Sequence, residues 1–286
     1  MRQATEAAEA AEARWKVALV LEYDGTAYAG FQRQANAPSV QATTEEAWRL
    51  LTGSVDRLKG AGRTDAGVHA TGQVVAFETT SALSTVVLQR GLNHYLPADI
   101  AVTEAYEAPM KFHPRRDALS RVYRYTLLSR RSRSPLRRRA AYLVGRPVDV
   151  ATMQECLAYL EGVRDFAPFS GPVDEGATTI RRLFRTAVWR EEDEVHLEME
   201  GNAFLPQQVR RTVGAVLQVG VGKETVQAFK AQADSGRRGA AHWVVPPSGL
   251  CLRQVNYKGF PSRSYARQQN NQSYVINQAG PTLAGR

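Results

Sequence analysis

The sequence predicts an α+β fold built on antiparallel sheets, and three observations carry that prediction. Strand-like and helix-like segments mix along the chain without the strict alternation of a parallel βαβ protein. Two strand-like runs, RRLFRTAVWRE (181–191) and EVHLEMEGN (194–202), stand at about hairpin spacing. The second half of the chain also resembles the first in plan, which suggests a pseudo-duplicated arrangement.

The first half supplies a strand, a helix, two more strands and a weaker helix. WKVALVLEYDG (15–25) reads as a buried strand closed by the turn pair Asp24-Gly25. SVQATTEEAWRLL (39–51) reads as a helix. Ser39 is its cap, acids sit in the early turns, and Val40, Ala47, Trp48 and Leu51 share one face. GQVVAFET (72–79) is strand-like, a weaker helical pattern covers 84–94, and IAVTEAYE (100–107) is a strand after Pro97.

In the second half VYRYTLLS (122–129) is a strand and VATMQECLAYLEG (150–162) a helix. The hairpin pair follows. PQQVRRTVGAVLQVG (206–220) is a helix whose first turn Pro206 suits, and GLCLRQVNY (249–257) is a last strand. The expected organisation is a leader at 1–14, an N-terminal half at 15–110, a C-terminal half at 111–258 and a tail at 259–286. The leader is Ala/Glu-rich, a frayed helix or a disordered segment. The tail is Gln/Asn/Ser-rich and holds no acid, the composition of a disordered extension.

Composition bounds the function. At 286 residues and 43% hydrophobic the chain can bury a sizeable core, which excludes global disorder. A net charge of +9 favours an anionic partner, nucleic acid before membrane. Cys156 and Cys251 form no CxxC and no disulfide framework, which fits a reducing compartment. There is no apolar run of about 18 residues for a membrane span. The N-terminus lacks the apolar stretch of a signal peptide, so the cytoplasm is expected.

The charge is concentrated. Between Arg115 and Arg139 stand ten arginines and one acid, Asp117, densest in SRRSRSPLRRR (129–139). Such a run is either a solvated face or a phosphate-contacting strip, for which the bidentate guanidinium is suited. Phe112, Tyr123, Tyr125 and Tyr142 are interleaved with it, as stacking faces for unpaired bases or as core residues of strands.

Several chemistries fail on spacing. GAGRTD puts Asp65 where GxGxxG needs its third glycine, and VGVGKET (219–225) puts Glu224 where a P-loop needs Ser or Thr. The five histidines show no HExxH spacing and no cysteine partners, so no metal is expected. No GxSxG is present. What remains is GAGRTDAGVHA (60–70), a loop of small residues that lets the backbone turn tightly and leaves Asp65 presented.

GRTDAGVHATGQV (62–74) resembles the signature of the TruA-type tRNA pseudouridine synthases. YDGTAYAGFQRQ (23–34), LNHYLPADIAV (92–102), FHPRRDALSRVYRY (112–125), DFAPFS (165–170), NAFLPQQVRRTVG (202–214) and GLCLRQVNY (249–257) fall in the family's order. The resemblance covers residues 15–258. It implies two RRM-like halves flanking a central cleft, a homodimer, and one tRNA lying across both subunits. The implied reaction turns uridine into pseudouridine at positions 38–40 of the anticodon stem-loop, without metal or cofactor.

By the same resemblance Asp65 is the catalytic carboxylate, attacking carbon or removing a proton. Arg63 helps hold the substrate open near the flipped base. Tyr123 lies against the target uracil, and Leu250 is an apolar wall of its pocket. Arg210 is the partner of Asp65. On helix 206–220 it flanks the stripe of Val209, Val213, Val216 and Leu217, while Arg211 points away. Without the motif, Arg210 would read as a snorkelling surface arginine and Leu250 as core. Two departures stand out. Leu205-Pro206-Gln207-Gln208 replaces a bulky or basic residue, a polar one and a methionine, and Arg116 stands where an aromatic is usual. Two other readings of the residues remain. One is a non-catalytic RNA-binding protein that kept the fold. The other is a glycosidase using Asp65, which normally needs a second carboxylate, and none lies near in sequence.

Overall fold

The computed structural model of the protein describes residues 14–259. The expectations for the leader and the tail concern residues 1–13 and 260–286, which lie outside the described residues. The first part of the chain forms β1 (Trp15–Tyr23), α1 (Val40–Thr52), β2 (Lys59–Gly60), β3 (His69–Thr79), α2 (Thr85–Tyr95) and β4 (Ile100–Ala108). The second part forms β5 (Ala118–Leu128), β6 (Tyr142–Leu143), α3 (Val150–Tyr159), β7 (Gly162–Asp165), β8 (Ile180–Glu191), β9 (Glu194–Gly201), α4 (Gln208–Gly220), α5 (Val226–Ala233) and β10 (Leu250–Tyr257).

The fold is α+β, as the mixed pattern predicts. Among the described residues the strands join into one ten-stranded sheet in the order β4-β1-β3-β10-β5-β9-β8-β7, with β2 beside β3 and β6 beside β5. Its pairings are antiparallel except for β5 with β6 and the seam between β3 and β10. At the seam Cys251 pairs with His69 and Leu252 with Ala70. The last strand among the described residues, β10, therefore closes the middle of the sheet. It places Leu250, Leu252 and the β5 residue Tyr123 next to the loop that precedes β3.

Helix α1 forms where its cap and periodicity place it. The Ser39 side chain accepts from the Ala42 amide, an N-cap whose loss costs about 1 kcal/mol. Trp48, 1% exposed, meets Phe77 of β3 edge-on at 4.4 Å between centroids. Truncating such a buried indole costs about 3–5 kcal/mol. On α4 the stripe of Val209, Val213, Val216 and Leu217 is buried.

The structure corrects several boundaries. Helix α3 stops at Tyr159, because Gly162, at φ 92°, starts the short strand β7 instead of prolonging the helix. Helix α5 has no counterpart in the sequence reading; at eight residues, capped by Thr225, it is too short for a clear periodic signal. Pro206 is not in the first turn of α4. The helix begins at Gln208, and the residue between them, Gln207, caps it in the left-handed region at φ 60°. The Gln208 side-chain oxygen reaches back to the Leu205 amide at 2.8 Å, which holds the irregular entry in place. Among the described residues no helix is long and apolar enough to cross a membrane.

Candidate active site

The loop between β2 and β3 carries Asp65, and it is fixed from several sides. The Ala61 amide donates to the Val74 carbonyl at 2.8 Å, and Gln73 Nε2 donates to the Gly62 carbonyl at 2.9 Å. Thr64 is held twice, by a 2.9 Å bond between its hydroxyl and that of buried Tyr23, and at its carbonyl by the Phe31 amide at 3.2 Å. Two glycines of the 23–34 motif make room for this. A Cβ on Gly25 would stand 2.0 Å from the Val68 carbonyl oxygen. Gly30, at φ 108°, would put one 2.6 Å from the Thr64 oxygen. The backbone is clamped, while the side chain of Arg63 is exposed and that of Asp65 half-buried.

Arg210 reaches this loop from the first turns of α4. Its Nη1 lies 3.3 Å from Asp65 Oδ2, and its Nε donates to the Val245 carbonyl at 2.8 Å. Arg211, on the next position round, turns to Gln207 and the Ala241 carbonyl. The pair stands in a cavity of about 560 Å³, a size typical of small-molecule sites. Asp65, Arg63, Tyr123, Arg210 and Leu250 all line it, so the fold brings together the five residues named from the sequence.

Tyr123 and Leu250 form the sheet side of the cavity. Tyr123 is 8% exposed, its ring edge-on to Phe204 at 5.1 Å. Burial pushes its hydroxyl well above the ordinary tyrosine range, Arg121 nearby pulls it partly back, and the Asp65 charge pushes it up again. The phenol is therefore neutral around neutral pH. Leu250 opens β10 opposite Tyr125, a buried residue whose hydroxyl donates to the Pro246 carbonyl. Among the described residues no three His, Cys, Asp or Glu side chains gather in a group able to hold a metal ion.

The arginine-rich stretch does not form one strip. Arg115 and Arg121 line the cavity. Arg130 and Arg137 both pair with Asp193, at 3.0 and 2.9 Å, and Arg137 also pairs with Glu194 at 2.8 Å. Arg124 is bound to Glu198 at 2.8 Å. Arg131, Arg133, Arg138 and Arg139 are exposed. Half-buried Tyr142 and buried Tyr125 belong to strands, the core alternative for the interleaved aromatics.

Arg181, Phe204 and Asp174 are among the cavity residues that the sequence reading did not name as site members. Arg181, at the start of β8, looks in sequence like one more charge on a polar strand face. Phe204 lies inside a quoted motif, but nothing in its spacing marks it as the neighbour of Tyr123. Asp174 comes to the cavity on the loop before β8.

The family profile described as tRNA pseudouridine synthase matches residues 19–116 and 157–258. A tRNA pseudouridine synthase A of Geobacter sp. (strain M21) is 43% identical over 242 residues, 84% of this chain and 98% of that protein. The protein of the same name from Roseiflexus sp. (strain RS-1) is 44% identical over 248 residues, 84% of this chain and 90% of its own length. That of Myxococcus xanthus is 39% identical over 251 residues, 87% of this chain and 95% of its own. Among solved structures, a Cbf5-Nop10-Gar1 complex is matched at 12% identity over 71% of this chain and 45% of that one, with a TM-score of 0.31.

Proposed function

The chain belongs to the tRNA pseudouridine synthases, which are isomerases, and from that membership we propose that it converts uridine to pseudouridine at positions 38–40 of the tRNA anticodon stem-loop, with Asp65 as the catalytic carboxylate. The observation that carries the reading is the 3.3 Å pair of Asp65 with an anchored Arg210, set in a cavity that also holds Tyr123 and Leu250. A base inside a stem must leave its stack to be acted on, and the cavity offers an aromatic ring and an apolar wall to receive it.

The reaction balances without any other reagent. The bond from uracil N1 to ribose C1′ breaks and one from C5 to C1′ forms. C5 gives up its hydrogen, and N1 ends with one. In this scheme Asp65, paired with Arg210, either takes C1′ as the N1 bond breaks and gives it up when C5 attacks, or removes a proton as the base departs and returns it when C5 joins. Tyr123 lies against the uracil. A neutral phenol takes the C5 proton only while passing on its own, so that role is a relay. Arg63, exposed at the mouth, keeps the nucleotide in its flipped position. By family membership the working unit is a homodimer, with one tRNA across both subunits, acting in the cytoplasm.

The test is to incubate unmodified tRNA transcripts with the protein and map pseudouridine along the anticodon stem-loop. Pseudouridine at any of the three positions supports the reading. A protein that binds tRNA and leaves every uridine unchanged would instead be the non-catalytic RNA-binding protein.

A further inference from the structure

Arg121 stands two residues before Tyr123 on β5, and residues two apart on a strand share a face. It is 9% exposed, and burial pulls its guanidinium down from the ordinary arginine range, the cost of a cation taken out of water. A buried arginine normally answers that cost with a carboxylate. Arg121 bonds to three backbone carbonyls instead: Nη1 to Asn202 at 2.7 Å, and Nη2 to Ala61 at 3.0 Å and to Arg115 at 2.8 Å.

Those carbonyls come from three separate segments, each of which enters the cavity. Ala61 begins the loop that presents Asp65 four residues later. Arg115 lies in the turn before β5. Asn202 follows β9 and leads through Phe204 into α4, the carrier of Arg210. The strand that holds Arg121 itself carries Tyr123. One planar guanidinium thus ties together the backbones that carry Asp65, Tyr123 and Arg210.

We propose that Arg121 is a positioning residue of the isomerisation: its three carbonyl bonds set the spacing between the loop of Asp65, the strand of Tyr123 and the entry to α4. The inference rests on the Asp65 reading above. Only arginine offers donors that diverge in one plane towards several acceptors. Lysine keeps the charge but has a single nitrogen on a flexible stem. Three carbonyl dipoles spread the charge without a carboxylate, so no second acid is introduced beside Asp65.

The test is the single-turnover rate with enzyme in saturating excess over tRNA, for Arg121→Lys first and Arg121→Met second. The tRNA dissociation constant and the thermal midpoint are measured beside it. Misplacing reacting groups by about an ångström costs up to roughly 100-fold in rate, so the Lys variant should lose roughly 10- to 100-fold while binding tRNA as tightly as wild type. The rate constant is read where it no longer changes with added enzyme, so a partly unfolded sample still reports it. A merely structural arginine would lower the midpoint and leave the rate constant at the wild-type value, which would overturn the proposal. So would loss of the folded state in both variants. Asp65→Asn is run alongside. Turnover by the Asn variant would sink the Asp65 reading. An inert Asn variant beside a Lys variant of wild-type rate would sink this inference alone.

Discussion

Arg210 Nη1 stands 3.3 Å from Asp65 Oδ2, and the same guanidinium is already bonded through Nε to the Val245 carbonyl at 2.8 Å. The arginine is therefore fixed by the backbone before it meets the acid. Lysine carries its donors on a single nitrogen, which does not span both the carboxylate and the Val245 carbonyl as the separate Nη1 and Nε do. Charge-assisted hydrogen bonds are worth about 1.5–3 kcal/mol, so Arg210→Lys should lower single-turnover pseudouridine formation roughly 10- to 100-fold. A wild-type rate in that variant would mean the pair does not serve the reaction.

Tyr123→Phe keeps the ring against Phe204 and removes only the hydroxyl. If that hydroxyl relays the C5 proton, turnover should fall by about 10²–10⁴, the usual worth of a general acid or base. Affinity for tRNA should change little, since the stacking surface remains. Full activity in the Phe variant would leave Tyr123 as a stacking surface alone.

The sequence made much of this fold legible because its signals were local. Ser39 marks a helix start that the structure keeps, and the buried run of β1 and the hairpin of β8 with β9 stand where the apolar run and the spacing put them. Less legible was what depends on distant partners. Nothing near Arg137 in sequence announces Asp193, which neutralises it from the turn between β8 and β9. The three carbonyls around Arg121 come from residues 6, 60 and 81 positions away. The placing of Asp65 with Arg210 came from the motif; helical periodicity alone would leave Arg210 at the edge of an apolar stripe with no stated partner.

The split of the arginine-rich stretch changes which substitutions test electrostatic tRNA binding. Arg130 and Arg137 are occupied by Asp193, whereas Arg131, Arg133 and Arg138 are exposed. Each phosphate neutralised contributes about 0.7–0.9 to the slope of log K against log salt. Replacing these three exposed arginines with alanine should flatten the slope by roughly 2 if all three touch phosphate. Arg137→Ala should instead lower the thermal midpoint, by leaving Asp193 and Glu194 short of a partner. An unchanged slope in the triple variant would make this segment a solvated loop.

Alkaline pH should unfold the protein at its tyrosines. Burial, as the leading cause, pushes the phenols of Tyr23, Tyr28, Tyr123, Tyr125 and Tyr257 above their ordinary value of 10.0, and it pushes the Cys156 thiol up to about 11. The folded state favours the neutral forms. Their contribution is therefore fully present below the unfolded values and is lost as pH rises past them. The thermal midpoint should hold to about pH 9 and then fall steeply. Phenolate absorbance from these residues should appear together with unfolding. Its appearance in a still-folded protein would mean the rings are open to solvent.

Asp65→Asn is the sharpest substitution because it alters charge and little else. The two side chains are nearly the same size, and the loop is held through Ala61, Gly62 and Thr64, none of which involves the carboxylate. An amide neither attacks carbon nor takes a proton, so pseudouridine formation should fall below detection. Binding rests on phosphate contacts and base flipping, which the amide leaves in place. Affinity should hold or rise slightly, because a negative charge near the phosphates is gone. The substitution also leaves Arg210 without its acid while its backbone anchor at Val245 remains. A loss of both turnover and binding would therefore point to a displaced arginine and not to a missing carboxylate. Turnover in the Asn variant at the wild-type rate would remove Asp65 from the chemistry and require another group in the cavity, with Asp174 the first to examine.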